Sequence, residues 1–350
     1  RNWFRARFRA SPPRGAGRSS AARPGRGNSN WNMIGCHGLA ALGQPVRLRR
    51  DCESSHCLTA EPVKQWHPEL VGSRCGGGAA EGAAAFDQAL ADFEELFAVE
   101  GLPDEIVAAG GKAIVNTSDI TNYADSENAV KQAIEAFGDL HIVLNNAGIN
   151  RDRMFASLTE ADWDAIMAVH LKGHFCISSH AVHYWRDQSK AGKKVDARII
   201  NTTSGAGLQG SIGQSNYAAA KAGICALTLN QAAELGRYGI TANAIAPAAR
   251  TGMTTAVESM ATRMAKPTDG SFDYWAPENV SSLLVWLASE QSAHVTGKVF
   301  EAEGGKISIA DGWRSTKPAD KGAKWEPEEL TAVVDKLIAE AVPAQKVYGT

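Results

Sequence analysis

The stretch from residue 199 to residue 223, IINTTSGAGLQGSIGQSNYAAAKAG, constrains this chain more than any other. It opens as an apolar, β-branched strand and passes through a loop carrying Gly205, Gly207, Gly210 and Gly213. It ends in an alanine-rich run that reads as a helix. Ser204 stands where strand gives way to loop. Tyr217 and Lys221 stand four apart, one turn from each other on one helical face. A phenol beside an ammonium is a workable proton donor to a carbonyl, because the positive charge favours the phenolate and lowers a pKa otherwise near ~10. A hydroxyl arriving from another element, that of Ser204, can hold the oxygen of such a substrate. The bland alternative is an amphipathic helix with a partly exposed tyrosine and a snorkelling lysine.

Tyr-x-x-x-Lys alone is a weak signal. The serine thirteen residues before Tyr217 narrows it, as does Asn145-Asn146-Ala147-Gly148 after an apolar run. Together these features resemble the short-chain dehydrogenase/reductase family, and the resemblance covers residues 104–316. It implies an α/β fold, a single-domain, Rossmann-type, doubly wound parallel sheet. It also implies reversible hydride transfer between NAD or NADP and a secondary alcohol or ketone. By the same resemblance Tyr217 is the acid/base, Lys221 lowers its pKa and holds the nicotinamide ribose, and Ser204 fixes the substrate oxygen. Asp119 and Ile120 border the adenine, Asn146, Ala147 and Gly148 meet the nicotinamide-side ribose, and Pro247 lies at the carboxamide. The residues by themselves read Asp119 as a helix N-cap before 123–137, which is compatible with that role.

Two departures refine the resemblance. The family places an asparagine before Leu-x-Gly in the helix preceding Ser204; this chain has Val169-His170-Leu171-Lys172-Gly173. The family commonly has Pro-Gly where this chain has Pro247-Ala248-Ala249-Arg250. Both resemble one subgroup, the peroxisomal multifunctional (3R)-hydroxyacyl-CoA dehydrogenases, also described as 17β-hydroxysteroid dehydrogenase type 4. A 3-hydroxyacyl-CoA thioester or a hydroxysteroid is the substrate this implies. His170 is either a relay group or a core histidine satisfied by backbone.

Upstream, the sequence is a different kind of chain. Residues 1–85 carry a formal charge of +8 and residues 86–350 one of −10. Residues 1–50 hold eleven arginines and no lysine, aspartate or glutamate. An organelle leader, a polyanion-binding arm and an out-of-frame translation compete for this segment, and the last is preferred. Residues 1–103 are therefore left unassigned, and the N-terminal βαβ unit of the fold is in doubt or missing. Residues 72–78, GSRCGGG, spell the Gly-x-x-x-Gly-x-Gly of a phosphate-binding turn through Gly72, Gly76 and Gly78, without a buried strand before it. Loss of that turn would leave a catalytically dead Rossmann-like protein, the competing reading. Cys36, His37, Cys52, His56, Cys57, His67 and Cys75 form no zinc-type spacing, so no metal is expected.

From Asp104 onward strands and helices alternate, as a parallel sheet requires. Strands are expected at 112–119, through Asn145, at 199–203, at 240–247 and, last, at 298–305. Helices are expected at 123–137, 159–188, through the central stretch to Gly239, and at 277–289. Residues 317–350 form a tail with one amphipathic helix near 325–341, suited to packing on a second subunit. A homodimer or homotetramer in the cytoplasm is expected, with a small-molecule partner, no nucleic acid and no membrane span.

Overall fold

The computed structural model describes residues 31–36, 41–44, 112–255 and 258–348. Its centre is a seven-stranded sheet in the order β2-β1-β3-β4-β5-β6-β7. The strands are β1 (Trp31–Cys36), β2 (Ala41–Gln44), β3 (Ile142–Asn145), β4 (Ala197–Thr202), β5 (Ile240–Ala248), β6 (Val299–Glu303) and β7 (Lys306–Ala310). From β1 through β6 every neighbouring pair is parallel, and β2 and β7 close the two edges antiparallel. Helices connect the parallel strands, the arrangement expected of a doubly wound sheet.

Strand period decides which residues reach which layer. On one face Val143, Ile199, Ile240 and Ala242 pack with Ile177, Ala181 and Trp185. Those last three belong to α3 (Gly173–Lys190), which lies beside α1 (Tyr123–Phe137). On the other face Ile142, Ile200, Ile245 and Phe300 pack with Val280, Leu283 and Leu287 of helix 278–288. Burial of such side chains contributes roughly 1.5–3 kcal/mol each. A buried amide layer ties the two central strands to the helices above them. Asn145 donates to Ser178 Oγ (2.8 Å) and Asn201 Oδ1 (2.9 Å), and Asn201 donates to Thr228 Oγ1 (2.8 Å) and Gln231 Oε1 (2.9 Å). Each donor is satisfied away from water, so the layer fixes the helices at a set height over the sheet.

Three differences from the sequence expectation concern the sheet. Residues 112–119 form no strand; Val115 alone makes a bridge, because the outer edge of β1 is paired with β2. Strand 298–305 is not the last, since Gly304-Gly305 turns the chain back into β7. Two strands, β1 and β2, come from the segment that composition left unassigned. The helix expected over 159–188 runs from Glu160 to Lys190, with α2 (Glu160–Ile166) capped by Thr159 and a π-helical turn at Met167–Lys172 before α3. The motif glycines Gly72, Gly76 and Gly78 lie outside the described residues. So do most of the cysteines and histidines weighed as zinc ligands.

Candidate active site

The carboxyl ends of β3, β4 and β5 deliver three loops to one place, the crevice where open parallel sheets bind ligands. β3 leads to Asn146, Ala147 and Gly148, β4 to Ser204, and β5 through Pro247 to Arg250. Ser204 leaves β4 with extended backbone (φ −159°) and caps the short helix α4 (Gly205–Gln209), its Oγ accepting from Ala206 N–H at 3.2 Å. Its hydroxyl also lies near enough to the phenol of Tyr217, which lies in α5 (Ser215–Leu235), to oppose the rise in that group's pKa. The two hydroxyls singled out in the sequence are therefore neighbours.

Lys221 follows one turn later and is 2% exposed. Its Nζ donates to Thr202 O at 2.7 Å and lies 5.5 Å from the centre of the Tyr217 ring. Burial pushes the phenol up to about 12, with the neighbouring Ser204 hydroxyl opposing the rise and Asp152 adding to it. Burial also pulls Lys221 down to about 7. This differs from the expectation that the ammonium lowers the phenol. Removal from water penalises both charged forms, and here it outweighs their mutual attraction.

The π turn carries His170, which is 1% exposed. Single π turns recur at functional positions because they rotate one side chain out of the regular helical register. The ring reaches the loop after β3: Nε2 lies 2.8 Å from Ile149 O and 3.1 Å from Ile149 N. One nitrogen cannot donate and accept at once. With Nε2 protonated it donates to the carbonyl; with Nε2 bare it accepts from the amide. Gly148 makes room for this approach, since a Cβ there would stand 2.6 Å from His170 Cε1. The same ring meets Tyr217 edge-on.

Around the crevice the structure adds residues that the sequence reading did not name. His174, one turn after His170, is fully buried, and burial followed by the nearby Lys221 and His170 holds it well below the ordinary histidine range. Asp152 accepts from Gln214 Nε2 at 2.8 Å and is raised by burial. The i, i+4 spacing of His170 and His174 was legible; the Asp152–Gln214 pair, joining two distant loops, was not. Asp119 is not the helix cap: Asn122 caps α1, and Asp119 Oδ1 accepts from Thr121 N–H and Oγ1, both at 2.8 Å. Ile120 packs on Gly173. Among the described residues no group of three metal-binding side chains comes together, and no helix is long and apolar enough to cross a membrane.

The residues at β3 and β4 fit a nicotinamide cofactor on local evidence. Lys221 is buried one turn from Tyr217 with its amine 5.5 Å from that ring, at the carboxyl end of β4 where a nicotinamide ribose would lie, while the room beside Gly148 is taken by the His170 ring. Comparison with known proteins points the same way. The sequence profile described as short chain dehydrogenase matches residues 87–262. The hydroxyacyl-CoA dehydrogenase ChsB1 of Mycobacterium tuberculosis is 40% identical over 71% of this chain and 79% of its own length. The peroxisomal multifunctional enzyme type 2 of Mus musculus is 34% identical over 70% of this chain, which spans only 31% of that longer protein. A crystal structure of a short chain dehydrogenase from Mycobacterium avium superposes with a TM-score of 0.65 at 52% identity, covering 72% of this chain and 82% of that one. With that coverage and identity, the chain belongs to the short-chain dehydrogenase/reductase family, in the subgroup of these relatives, and is an NAD(P)-dependent oxidoreductase.

Proposed function

We propose that the chain interconverts a secondary alcohol and a ketone on a 3-hydroxyacyl-CoA thioester or, second in preference, a hydroxysteroid. The observation that carries the reading is Lys221, buried one turn behind Tyr217 with its Nζ 5.5 Å from the centre of that ring, and Ser204 close by at the end of β4. When bound at the ends of β3 and β4, the nicotinamide supplies the hydride acceptor or donor. The chain's own residues handle the proton. Ser204 Oγ donates to the substrate oxygen and fixes its position between the two hydroxyls. Tyr217 Oη takes the hydroxyl proton in oxidation and returns it in reduction. A protonated Lys221 behind it favours the phenolate, and His170 holds the 148–149 loop against the same ring. Asn146, Ala147, Gly148 and Pro247 line the cofactor side; Asp119 and Ile120 stand toward the adenine; Gly72, Gly76 and Gly78 are the proposed phosphate turn.

An acyl or steroid substrate is supported by exposed apolar side chains on two loops near Tyr217. Met154, Phe155 and Ile212 are 61%, 74% and 48% exposed. Their loops are joined by the Arg153–Gln214 bridge, three residues before Tyr217. Exposed apolar side chains near a site fit an apolar ligand better than water. The relative named hydroxyacyl-CoA dehydrogenase favours the thioester. A homodimer or homotetramer belongs to the same proposal: Leu330, Val334 and Ile338 form one exposed stripe on helix 327–340. A cytoplasmic setting is proposed with it.

The test is a fluorescence titration with NADH and NADPH, followed by turnover of a 3-hydroxyacyl-CoA and of a hydroxysteroid. Saturable cofactor binding abolished by Gly76→Glu, with turnover of the thioester, supports the reading. Absence of binding at millimolar cofactor supports the dead Rossmann-like alternative.

A further inference from the structure

Val347 and Tyr348 lie against the loop that joins Ser204 to Tyr217. Tyr348 N–H donates to Gly210 O at 3.3 Å, and Ile212 N–H donates to Tyr348 O at 3.0 Å, which makes a parallel bridge between Ser211 and Tyr348. The phenol ring is seated on the backbone of Gly205. A Cβ there would stand 2.9 Å from Tyr348 Cε2, 3.0 Å from Cζ and closer still to the hydroxyl. Val347 lies in van der Waals range of Gly210, whose φ is +81°. On its other flank the same loop is held by Gln214, through the Arg153 bridge and the hydrogen bond to Asp152.

This loop contains a five-residue helix followed by glycines of positive φ at 210 and 213. Each glycine widens the conformational freedom that must be given up when the loop is fixed. Yet both its ends carry hydroxyls that must meet within hydrogen-bond distance. Gly205 is the residue after Ser204, so whatever rests on Gly205 sets the direction in which Ser204 leaves β4.

We infer that Tyr348 is a positioning residue: its ring, seated on Gly205, holds Ser204 in register with Tyr217. It touches no reacting atom and acts through Ser204. The inference rests on the assignment of Ser204 and Tyr217 made above. It also gives glycine at 205 a reason. That residue opens a helix and has no positive φ, so alanine would be tolerated or favoured there on propensity alone. The three atoms nearest an added Cβ all belong to Tyr348.

The test is a double-mutant cycle of Tyr348→Ala and Gly205→Ala, with Tyr348→Phe as the conservative variant. It is read by kcat and KM on the thioester, NADH affinity, thermal midpoint, and amide hydrogen exchange over residues 205–214. Each single substitution is expected to lower kcat about tenfold, since small misplacements of a reacting group carry losses of that order. NADH affinity and thermal midpoint stay unchanged, and exchange in the loop, at the Ile212 amide above all, speeds up. The double variant is no slower than either single one, and Tyr348→Phe restores kcat. Additive losses, or unaltered exchange in both singles, overturn the inference. A parent chain that neither binds NADH nor turns over substrate overturns the functional reading and this one with it.

Discussion

The His170 ring stands perpendicular to the Tyr217 ring, with 5.1 Å between centroids and 89° between planes. That edge contact places a titratable group next to the proposed acid/base and binds it, through Nε2, to the backbone of Ile149. His170 thus replaces the family's asparagine with a larger group that reaches the opposite loop. Gly148 is its structural counterpart.

Removing this ring should separate packing from chemistry. His170→Ala leaves a half-buried backbone amide or carbonyl of Ile149 without its partner, at a cost of up to roughly 1 kcal/mol where water can reach it. It should also lower kcat more than KM. Gly148→Ala should reproduce the kinetic loss by pushing the ring toward Tyr217, and the two substitutions together should be less than additive. Thermal unfolding and steady-state kinetics of the three variants check this. Full additivity would show that the contact at Gly148 is not what fixes the ring.

Lys221 gives the protein without cofactor a pH signature. Its folded pKa of about 7 lies below the ordinary 10.5. Between those values the unfolded chain holds a proton that the folded chain has released, so stability rises with pH through that window. The thermal midpoint is expected to climb from pH 7 toward pH 10, and Lys221→Met is expected to flatten that climb. A parent curve with no rise over this range would contradict the burial of an uncompensated lysine.

Arg250 ties together the segment 250–275, whose proposed role is to cover substrate. It forms a two-pronged ion pair with Asp273 and donates from Nη1 to Met264 O at 2.8 Å, while its N–H donates to Trp275 O at 2.7 Å. The guanidinium, through its hydrogen bond, lowers the Asp273 carboxyl. The stabilisation is therefore present above the ordinary carboxylate range and lost as pH falls through the lowered value. Asp273→Asn should raise KM for substrate on the order of tenfold, the equivalent of ~1.4 kcal/mol, with kcat much less affected. An unchanged KM would show that residues 250–275 do not close over substrate.

The sequence made some of this legible and hid the rest for physical reasons. Ser204, Tyr217 and Lys221 were readable because a strand, a glycine loop and one helical turn bring them together with no long-range information. β7 was readable in principle: Gly304-Gly305 between Glu303 and Lys306 is a two-residue hairpin signal, and Ile307 and Ile309 alternate with polar neighbours. Its side chains face solvent, so it adds no buried apolar run to the pattern. β1 and β2 sit in arginine-biased surroundings whose composition masks a short apolar pattern. The expected strand at 112–119 has the right residues, but strand formation needs a free edge, and β2 occupies that edge. Asp152 and Tyr348 act across long sequence separations, which local patterns do not encode.

The central claim is that the Tyr217 phenol moves the substrate proton. The most direct measurement compares Tyr217→Phe with the parent chain, using the thioester substrate at saturating cofactor, with NADH affinity determined for both. The expected result is unchanged cofactor binding with kcat reduced ~10²–10⁴-fold. A variant that binds NADH equally and keeps more than about a tenth of the parent rate would contradict that claim.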